Sequence, residues 1–401
     1  NANSEQNPQA GAEIEKQSVT SEENQLEAIR KAIEEKGAQW EAGITSVSGL
    51  SLEAKKRLCG AKFGPMPEGI ETVTPSLDLA TLPTTFDWRN KDGIDWMTSV
   101  KDQNPCGTCW VFGTLGSLEA AINIYNSDSN IDMDLSEQMI LSCSDDIECT
   151  PTCSGGDPQD ALDYLRDYGT ANEACFPYQC PIAGCPDAGV PCNCCPDWAE
   201  KAWKVTYKKV TPDTTADYKA ALVQYGPLGV PVFADADLFF YKGGIYEPVL
   251  ESEEWAEAFN QQEANHWVTL VGYNDAGGYW VVKNSWGTGW AQGEEGYYKI
   301  LYGDIEKHAH TFAITSVDGP DNCKSITVFN DGNATLDVTN VAISYNAGES
   351  TGWLGAERKS FALTPLHSEG ITVWVNTTGL SPGEYHGRLN LISNDPDESP
   401  T

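Results

Sequence analysis

The chain reads as an α+β domain of enzyme size set between a short helical segment and an all-β sandwich, and three patterns predict this. Leu115, Leu118, Ile122 and Tyr125 recur at the spacing of one helix face. His266 to Tyr273 and Tyr279 to Lys283 are rich in β-branched and aromatic residues and are joined by Asn-Asp-Ala-Gly-Gly, so they read as two strands linked by a turn. After Gly319 and Pro320 the chain changes to short alternating segments separated by Asn-Asp-Gly, Ser-Pro-Gly and Ser-Asn-Asp-Pro. Regular short strands of that kind predict a β-sandwich.

From the N-terminus, residues 1–17 are polar and hold little to bury, so a mobile stretch is expected. Leu26, Ile29 and Ile33 lie at helical spacing between Ser21 and Gly37, which predicts a short amphipathic helix. A second helix is predicted near Leu50 to Leu58, opened by Ser51 and closed by Gly60. Phe63 to Pro83, rich in Pro, Gly and Thr, predicts an extended linker. The helix of Leu115 begins near Cys109. Strands are expected at Ser325 to Phe329, Thr335 to Tyr345, Ile371 to Val375 and Tyr385 to Ile392. The chain divides into 1–80, 81–318 and 319–401; the last unit ends where a turn should lead onward, so its final strand is expected to be missing.

Lys and Arg total 25 against 59 Asp and Glu, a net charge of -34. A field of that sign repels nucleic acid and anionic membrane surfaces, so neither is expected as a partner. No apolar run approaches the ~20 residues that span a bilayer. Thirteen cysteines point to an oxidising compartment and hence to a secreted protein. With one thiol kept free for chemistry, the other 12 suffice for six disulfides. The start at Asn1 fits a signal peptide already removed or a trimmed chain.

The stretch Gln103-Asn-Pro-Cys-Gly-Thr-Cys-Trp110 is followed at a distance by Asn265-His-Trp267 and Lys283-Asn-Ser-Trp-Gly287. A cysteine attacks as thiolate, so it needs a nearby histidine and benefits from the partial positive charge of a helix N-terminus. Cys109 has the helix position. His266 opens one strand and Asn284 ends the next, so a turn near Asp275 and Ala276 sets them opposite each other across the ladder. The asparagine oxygen then accepts from one imidazole nitrogen and leaves the other for the thiol. Gln103, six residues before Cys109, is placed to join the Cys109 backbone N–H in binding a developing oxyanion.

With these residues the chain resembles the papain-like cysteine peptidases, whose local signature is Cys-Gly-Ser/Ala-Cys-Trp/Tyr. Supporting marks are Phe86-Asp-Trp-Arg89, Leu135-Ser-Glu-Gln138, Cys153-Ser-Gly-Gly-Asp-Pro158, Phe176-Pro-Tyr178, Tyr241-Lys-Gly-Gly-Ile245 and Gly287-Thr-Gly-Trp290. The resemblance implies a two-lobed fold, a helical lobe beside a β-barrel-like lobe, with a C-terminal Ig-like sandwich added. It implies Cys109, His266, Asn284 and Gln103 as the catalytic set, Trp286 as a shield, and no metal or other cofactor. Gly107 and Gly156 would border the substrate, with Pro158, Pro231 and Asn265 lining the pocket for the second residue before the scissile bond, where an apolar side chain is expected. The partners implied are protein or peptide substrates and the chain's own propeptide, residues 1–80, with Phe63 to Pro83 crossing the cleft. A monomer of the microbial type is expected.

The chain also departs from the family. Thr108 replaces a Ser or Ala, and Trp267 replaces a small residue and is expected to crowd the imidazole. The 157 residues from Cys109 to His266 are lengthened by an insert that holds Cys175, Cys180, Cys185, Cys192, Cys194 and Cys195. Disulfides suit it better than a metal cluster. The resemblance implies Cys106 with Cys153, and Cys143 with an insert cysteine, taken as Cys180. Cathepsin B carries histidines in a loop at this place that make it an exopeptidase. Cys175 to Asp197 has no His, Lys or Arg, so an open cleft and endopeptidase action are expected. A catalytically silent papain-like scaffold and a peptide ligase are the alternatives.

Overall fold

The computed structural model describes residues 8–64, 70–75, 77, 79–129, 131, 133–143, 153–179, 191–212, 214–250, 252–259, 264–307, 310–320, 323–329, 335–345, 354–356, 360–364, 368–375 and 387–394. The helices are α1 (Pro8–Lys36), α2 (Leu52–Leu58), α3 (Cys109–Asn126), α4 (Glu137–Cys143), α5 (Pro158–Asp167), α6 (Thr215–Tyr225) and α7 (Glu253–Ala258). The first strands are β1 (Gln39–Ala42), β2 (Thr72–Val73), β3 (Thr85–Asp87), β4 (Lys204–Val210) and β5 (Leu228–Val232). There follow β6 (Tyr241–Tyr246), β7 (His266–Asn274), β8 (Tyr279–Lys283), β9 (Tyr297–Leu301) and β10 (Thr311–Asp318). The C-terminal strands are β11 (Cys323–Phe329), β12 (Leu336–Tyr345), β13 (Leu354–Ala356), β14 (Phe361–Leu363), β15 (Ser368–Val375) and β16 (Gly387–Ser393).

Helix α1 starts at Pro8, inside the stretch expected to be mobile. Leu26 and Ile29 are buried, with Ile33 packed beside them. Helix α2 follows the predicted span closely, because the Ser51 hydroxyl accepts from the Ala54 amide and closes its first turn.

One ten-stranded sheet runs β1-β6-β9-β8-β7-β5-β10-β4-β2, with β3 added on β7. Its two outer strands both come from the first 80 residues: β1 is antiparallel to β6, and β2 is parallel to β4. Trp40 of β1 sits among rings, 5.2 Å from Tyr246 and 6.2 Å from Tyr241. Two apolar cores give the molecule its two lobes. Cys109, Leu115, Leu118 and Ile122 share one with Leu162 and Leu165 of α5. Phe239, Trp280, Trp286, Trp290 and Tyr298 dominate the other. Helix α3 is buried almost all round, not on one face, because it lies between the sheet and its neighbouring helices.

The hairpin of β7 and β8 forms as predicted, but its register is shifted by a bulge at Val271. Lys283 pairs with Thr269, while His266 pairs with Val232 of β5. His266 and Asn284 therefore meet through their side chains and not as ladder partners.

Trp267 does not crowd the imidazole. Its indole lies where two glycines leave space: an added Cβ would stand 2.7 Å from the ring at Gly113 and 2.5 Å at Gly229. The bulk of Trp267 is thus matched by missing side chains on α3 and β5. After the large sheet, the C-terminal residues form two three-stranded antiparallel sheets, β11-β15-β13 and β14-β12-β16. Val338 and Val341 are buried there, with Phe361, Leu389 and Leu391 packed on them.

Gly229→Ala is expected to lower unfolding stability by about 1–3 kcal/mol through overpacking against Trp267, and Gly229→Ala with Trp267→Leu should recover much of the loss in thermal denaturation. An unchanged melting temperature for the single variant would show that the ring has room to move.

Candidate active site

Cys109 is the first residue of α3, and no side chain caps the helix before it. The Thr108 hydroxyl is instead 2.9 Å from Tyr178 Oη, which donates to the Gln103 carbonyl at 2.9 Å. Of the first amides of α3, that of Trp110 favours the Cys109 anion, while those of Val111 and Phe112 donate to the Thr108 carbonyl. A disulfide joins Cys106 to Cys153. It holds the loop of Gly107 against the loop of Gly156, and Gly107 N donates to the Cys153 carbonyl at 3.3 Å.

His266 Nε2 and Asn284 Oδ1 are 2.8 Å apart, and the same oxygen accepts from Ser285 N at 2.8 Å. The Asn284 oxygen places the hydrogen on Nε2; Nδ1 is buried without a partner of hydrogen-bond geometry, and the Leu58 carbonyl is the polar group that acts on the ring from the covering segment. Trp286 covers the pair, its ring centroid 5.0 Å from that of His266, and is itself stacked on Phe239 at 4.7 Å. Gln103 is wholly buried. The Ser285 hydroxyl donates to its Oε1 at 2.6 Å, which turns Nε2 the other way, toward the Cys106 carbonyl at 2.7 Å and the Leu58 carbonyl at 3.2 Å. Behind these groups, Lys283 donates to Thr98, Thr98 to Glu119, and Lys101 is paired with Glu119 and Glu137. This charge network ties α3 to Lys283, the last residue of β8 and the neighbour of Asn284.

The N-terminal segment runs straight through the site. Gly156 N donates to the Gly60 carbonyl at 3.0 Å, Ala61 N to the Asn265 carbonyl at 3.1 Å, and Lys62 N to the Gly156 carbonyl at 2.9 Å. Gly64 N donates to Asp157 at 2.8 Å. The crossing therefore falls at Leu58 to Gly64, ahead of the predicted Phe63 to Pro83. Gly60 passes so close that a Cβ on it would lie 2.4 Å from Gly107 Cα. The Phe63 ring sits between His310 and Trp267, with centroids 5.1 Å and 6.1 Å away. Pro231 pairs with Trp267 across β5 and β7, and Pro158 opens α5. His310 was not named from the sequence for this pocket, since no motif surrounds it.

Covering the site changes its electrostatics. Burial pushes the Cys109 thiol up to about 11, against backbone N–H groups of Trp267, Gly60, Trp110 and Ala61 that favour the anion. Burial pushes His266 down to about 4, with Asn284 and the Leu58 carbonyl opposing. Thiol and imidazole are thus both neutral while the segment is in place.

Cys143 is joined to Cys192 and Cys175 to Cys195. The pairing of Cys143 with Cys180 is thereby excluded; Cys180 itself lies outside the described residues. Cys59 and Cys194 carry free thiols as well as Cys109, so the scheme that spared only one thiol fails. The sulfurs of Cys143, Cys192 and Cys194 lie within 4.8 Å of one another. Two of them are a disulfide, which leaves one thiolate ligand and no metal centre there. Among the described residues no helix is long and apolar enough to cross a membrane.

A cysteine at a helix N-terminus, a histidine held by an asparagine and a fixed amide beside them make this fold that of a cysteine-type peptidase. The model of the papain family cysteine protease matches residues 82–316, and the chain belongs to that family. Digestive cysteine proteinase 1 of Homarus americanus is 30% identical over 285 residues, covering 69% of this chain and 79% of that protein. The cathepsin L-like proteinase of Fasciola hepatica is 32% identical over 225 residues, covering 55% and 60%. The solved structure of digestive procathepsin L2 proteinase from Tenebrio molitor larval midgut shares the fold, with a TM-score of 0.62 at 23% identity, over 78% of this chain and 96% of that one.

Iodoacetamide labelling of Cys109 in the intact chain is expected to rise about tenfold per pH unit between pH 7 and 10, following the thiolate fraction. Mass spectrometry of the labelled peptide reads it directly. A rate independent of pH would mean that the thiol is already ionised under the segment.

Proposed function

We propose that the chain is the zymogen of a secreted cysteine endopeptidase, with residues 1–80 as its inhibitory propeptide. The observation that carries this reading is the seat of the Leu58 carbonyl on Gln103 Nε2, beside a His266–Asn284 pair and the thiol of Cys109. Cys109 is the nucleophile and His266 Nδ1 the base that takes its proton. Attack on a peptide carbonyl gives a tetrahedral oxyanion, bound by Gln103 Nε2 and the Cys109 backbone N–H. His266 returns the proton to the leaving amine, and water then resolves the acyl-enzyme. Asn284 fixes the ring throughout, and Trp286 keeps water from that hydrogen bond.

Inhibition has two parts on this reading. The segment occupies the backbone positions of Gly156 and Asn265 that a substrate would use, and it holds Cys109 and His266 neutral. Phe63, against Trp267 and His310, supports an apolar preference for the second residue before the scissile bond. Ion pairs from Lys36 to Glu247 and from Lys208 to Glu71 add to the hold on the segment. The disulfides support secretion.

Removal of residues 1–80 is expected to raise hydrolysis of a fluorogenic dipeptide with an apolar residue second from the bond, and Cys109→Ala should abolish it. Product containing an added amine in place of water would make the enzyme a ligase. Phe63→Ala in the intact chain should raise basal turnover about tenfold or more by removing a half-buried aromatic anchor. Turnover equal to that of the parent chain would take Phe63 out of the inhibitory contact.

A further inference from the structure

Thr108 stands at the N-cap of α3, where a hydroxyl ordinarily accepts from an amide of the first turn and so stabilises the helix. It makes no such bond. Its hydroxyl lies 2.9 Å from Tyr178 Oη instead, and Tyr178 donates its own proton to the Gln103 carbonyl at 2.9 Å. A phenol has a single hydrogen to give, so Thr108 is the donor in the bond between the two hydroxyls. One oxygen atom thereby joins the backbone of Gln103 to the side chain of the residue just before Cys109.

Those are the two ends of the loop that carries both proposed oxyanion donors. Within it the Cys106 carbonyl accepts from Gln103 Nε2 at 2.7 Å and from Thr108 N at 2.8 Å. Tyr178, which reaches the loop from outside, is itself well supported. Its amide donates to Glu173 at 2.5 Å, the Gln179 amide donates to Gln138 at 2.9 Å, and the Phe176 carbonyl accepts from Ser136 at 2.6 Å. Its ring meets Phe112 of α3 edge to face, with centroids 5.0 Å apart. Burial pushes the ionisation of the phenol up, so the proton in the bond to Gln103 stays in place. A hydroxyl on rigid supports can hold the geometry of a neighbouring site.

We propose that Tyr178 and Thr108 are positioning residues for the peptidase reaction: their paired hydroxyls fix the separation of Gln103 Nε2 from the Cys109 N–H, and hence the fit of the oxyanion between them. The inference rests on the peptidase reading above. Neither hydroxyl is assigned a contact with substrate; each acts through Gln103 and the Cys109 amide. The interaction they adjust forms only as the carbonyl oxygen becomes an oxyanion, so they bear on kcat and not on KM. The forgone helix cap has the same explanation, because the hydroxyl that could stabilise α3 is used to set the loop before it. Threonine keeps a hydroxyl that the alanine of the family signature would lack.

The test uses enzyme processed from the intact chain, with active sites counted by a thiol-alkylating epoxide. Tyr178→Phe, which keeps the ring on Phe112, is expected to lower kcat about tenfold with KM within about twofold of the parent. Thr108→Val should lower kcat about threefold, and Thr108→Ser should recover most of that loss. A peptide aldehyde adds to the thiol and places an oxygen where the oxyanion forms, so it should bind Tyr178→Phe about tenfold more weakly. The epoxide forms no oxyanion and should react at the parent's rate. An unchanged kcat in Tyr178→Phe would overturn the proposal, and so would equal losses of aldehyde binding and epoxide rate, which mark a damaged nucleophile. Amide hydrogen exchange in the intact chain reads the clamp without any activity. Exchange across residues 104–109 should be about tenfold faster in Tyr178→Phe and unaltered in α5; exchange equal to the parent's would also overturn the proposal. A parent chain without turnover counts against the peptidase reading, so the two can fail separately.

Discussion

Three backbone hydrogen bonds, one accepted by the Gly60 carbonyl from Gly156 and two donated by Ala61 and Lys62 to Asn265 and Gly156, are the constraint on which the rest of the site depends. They need no particular side chain, only a strand that approaches closely. Gly60 meets that condition because any Cβ there would collide with Gly107. Once the strand is seated, the Leu58 carbonyl is carried to Gln103 and the Phe63 ring to Trp267 and His310. A contact made of peptide groups thus sets what reaches Gln103, Trp267 and His310.

The same contact explains why the two proposed catalytic groups are quiet. A thiolate and an imidazolium stabilise each other only where water or dipoles solvate the charges. Under the strand both are dry, and each moves toward its neutral form. The amides of α3 and of the strand itself resist this for the thiol without reversing it. On the proposed zymogen reading, exclusion of substrate and suppression of the ion pair have one cause, and lifting the strand would end both together.

Much of the site was legible because its chemistry demands particular residue types at fixed spacing. Gln103, Cys109, His266 and Asn284 are brought to one place, and α2 and the β7–β8 hairpin lie where capping and alternation put them. What could not be read was carried by features without a side-chain pattern. The cleft crossing at Leu58 to Gly64 is a backbone event among small residues. The bulge at Val271 altered the ladder register, yet valine is ordinary in any strand. Trp267 looked too large, since the glycines that receive it, Gly113 and Gly229, are remote in sequence. The bond from Cys143 to Cys192 depends on the path of a loop, and spacing alone does not reveal that path.

The large sheet has one further property. Its outermost strands, β1 and β2, both belong to the segment that is proposed to be removed. Departure of that segment would leave β6 and β4 as borders with unsatisfied peptide groups, the kind of surface that recruits neighbouring chains. Strand β4 carries Lys204, Lys208 and Lys209, and β6 carries Lys242, in a chain with only 25 basic residues against 59 acidic ones. Scarce positive charge is thus spent where a second copy would otherwise dock edge to edge. In a released enzyme these lysines, which have no part in cutting peptides, would work against edge-to-edge pairing.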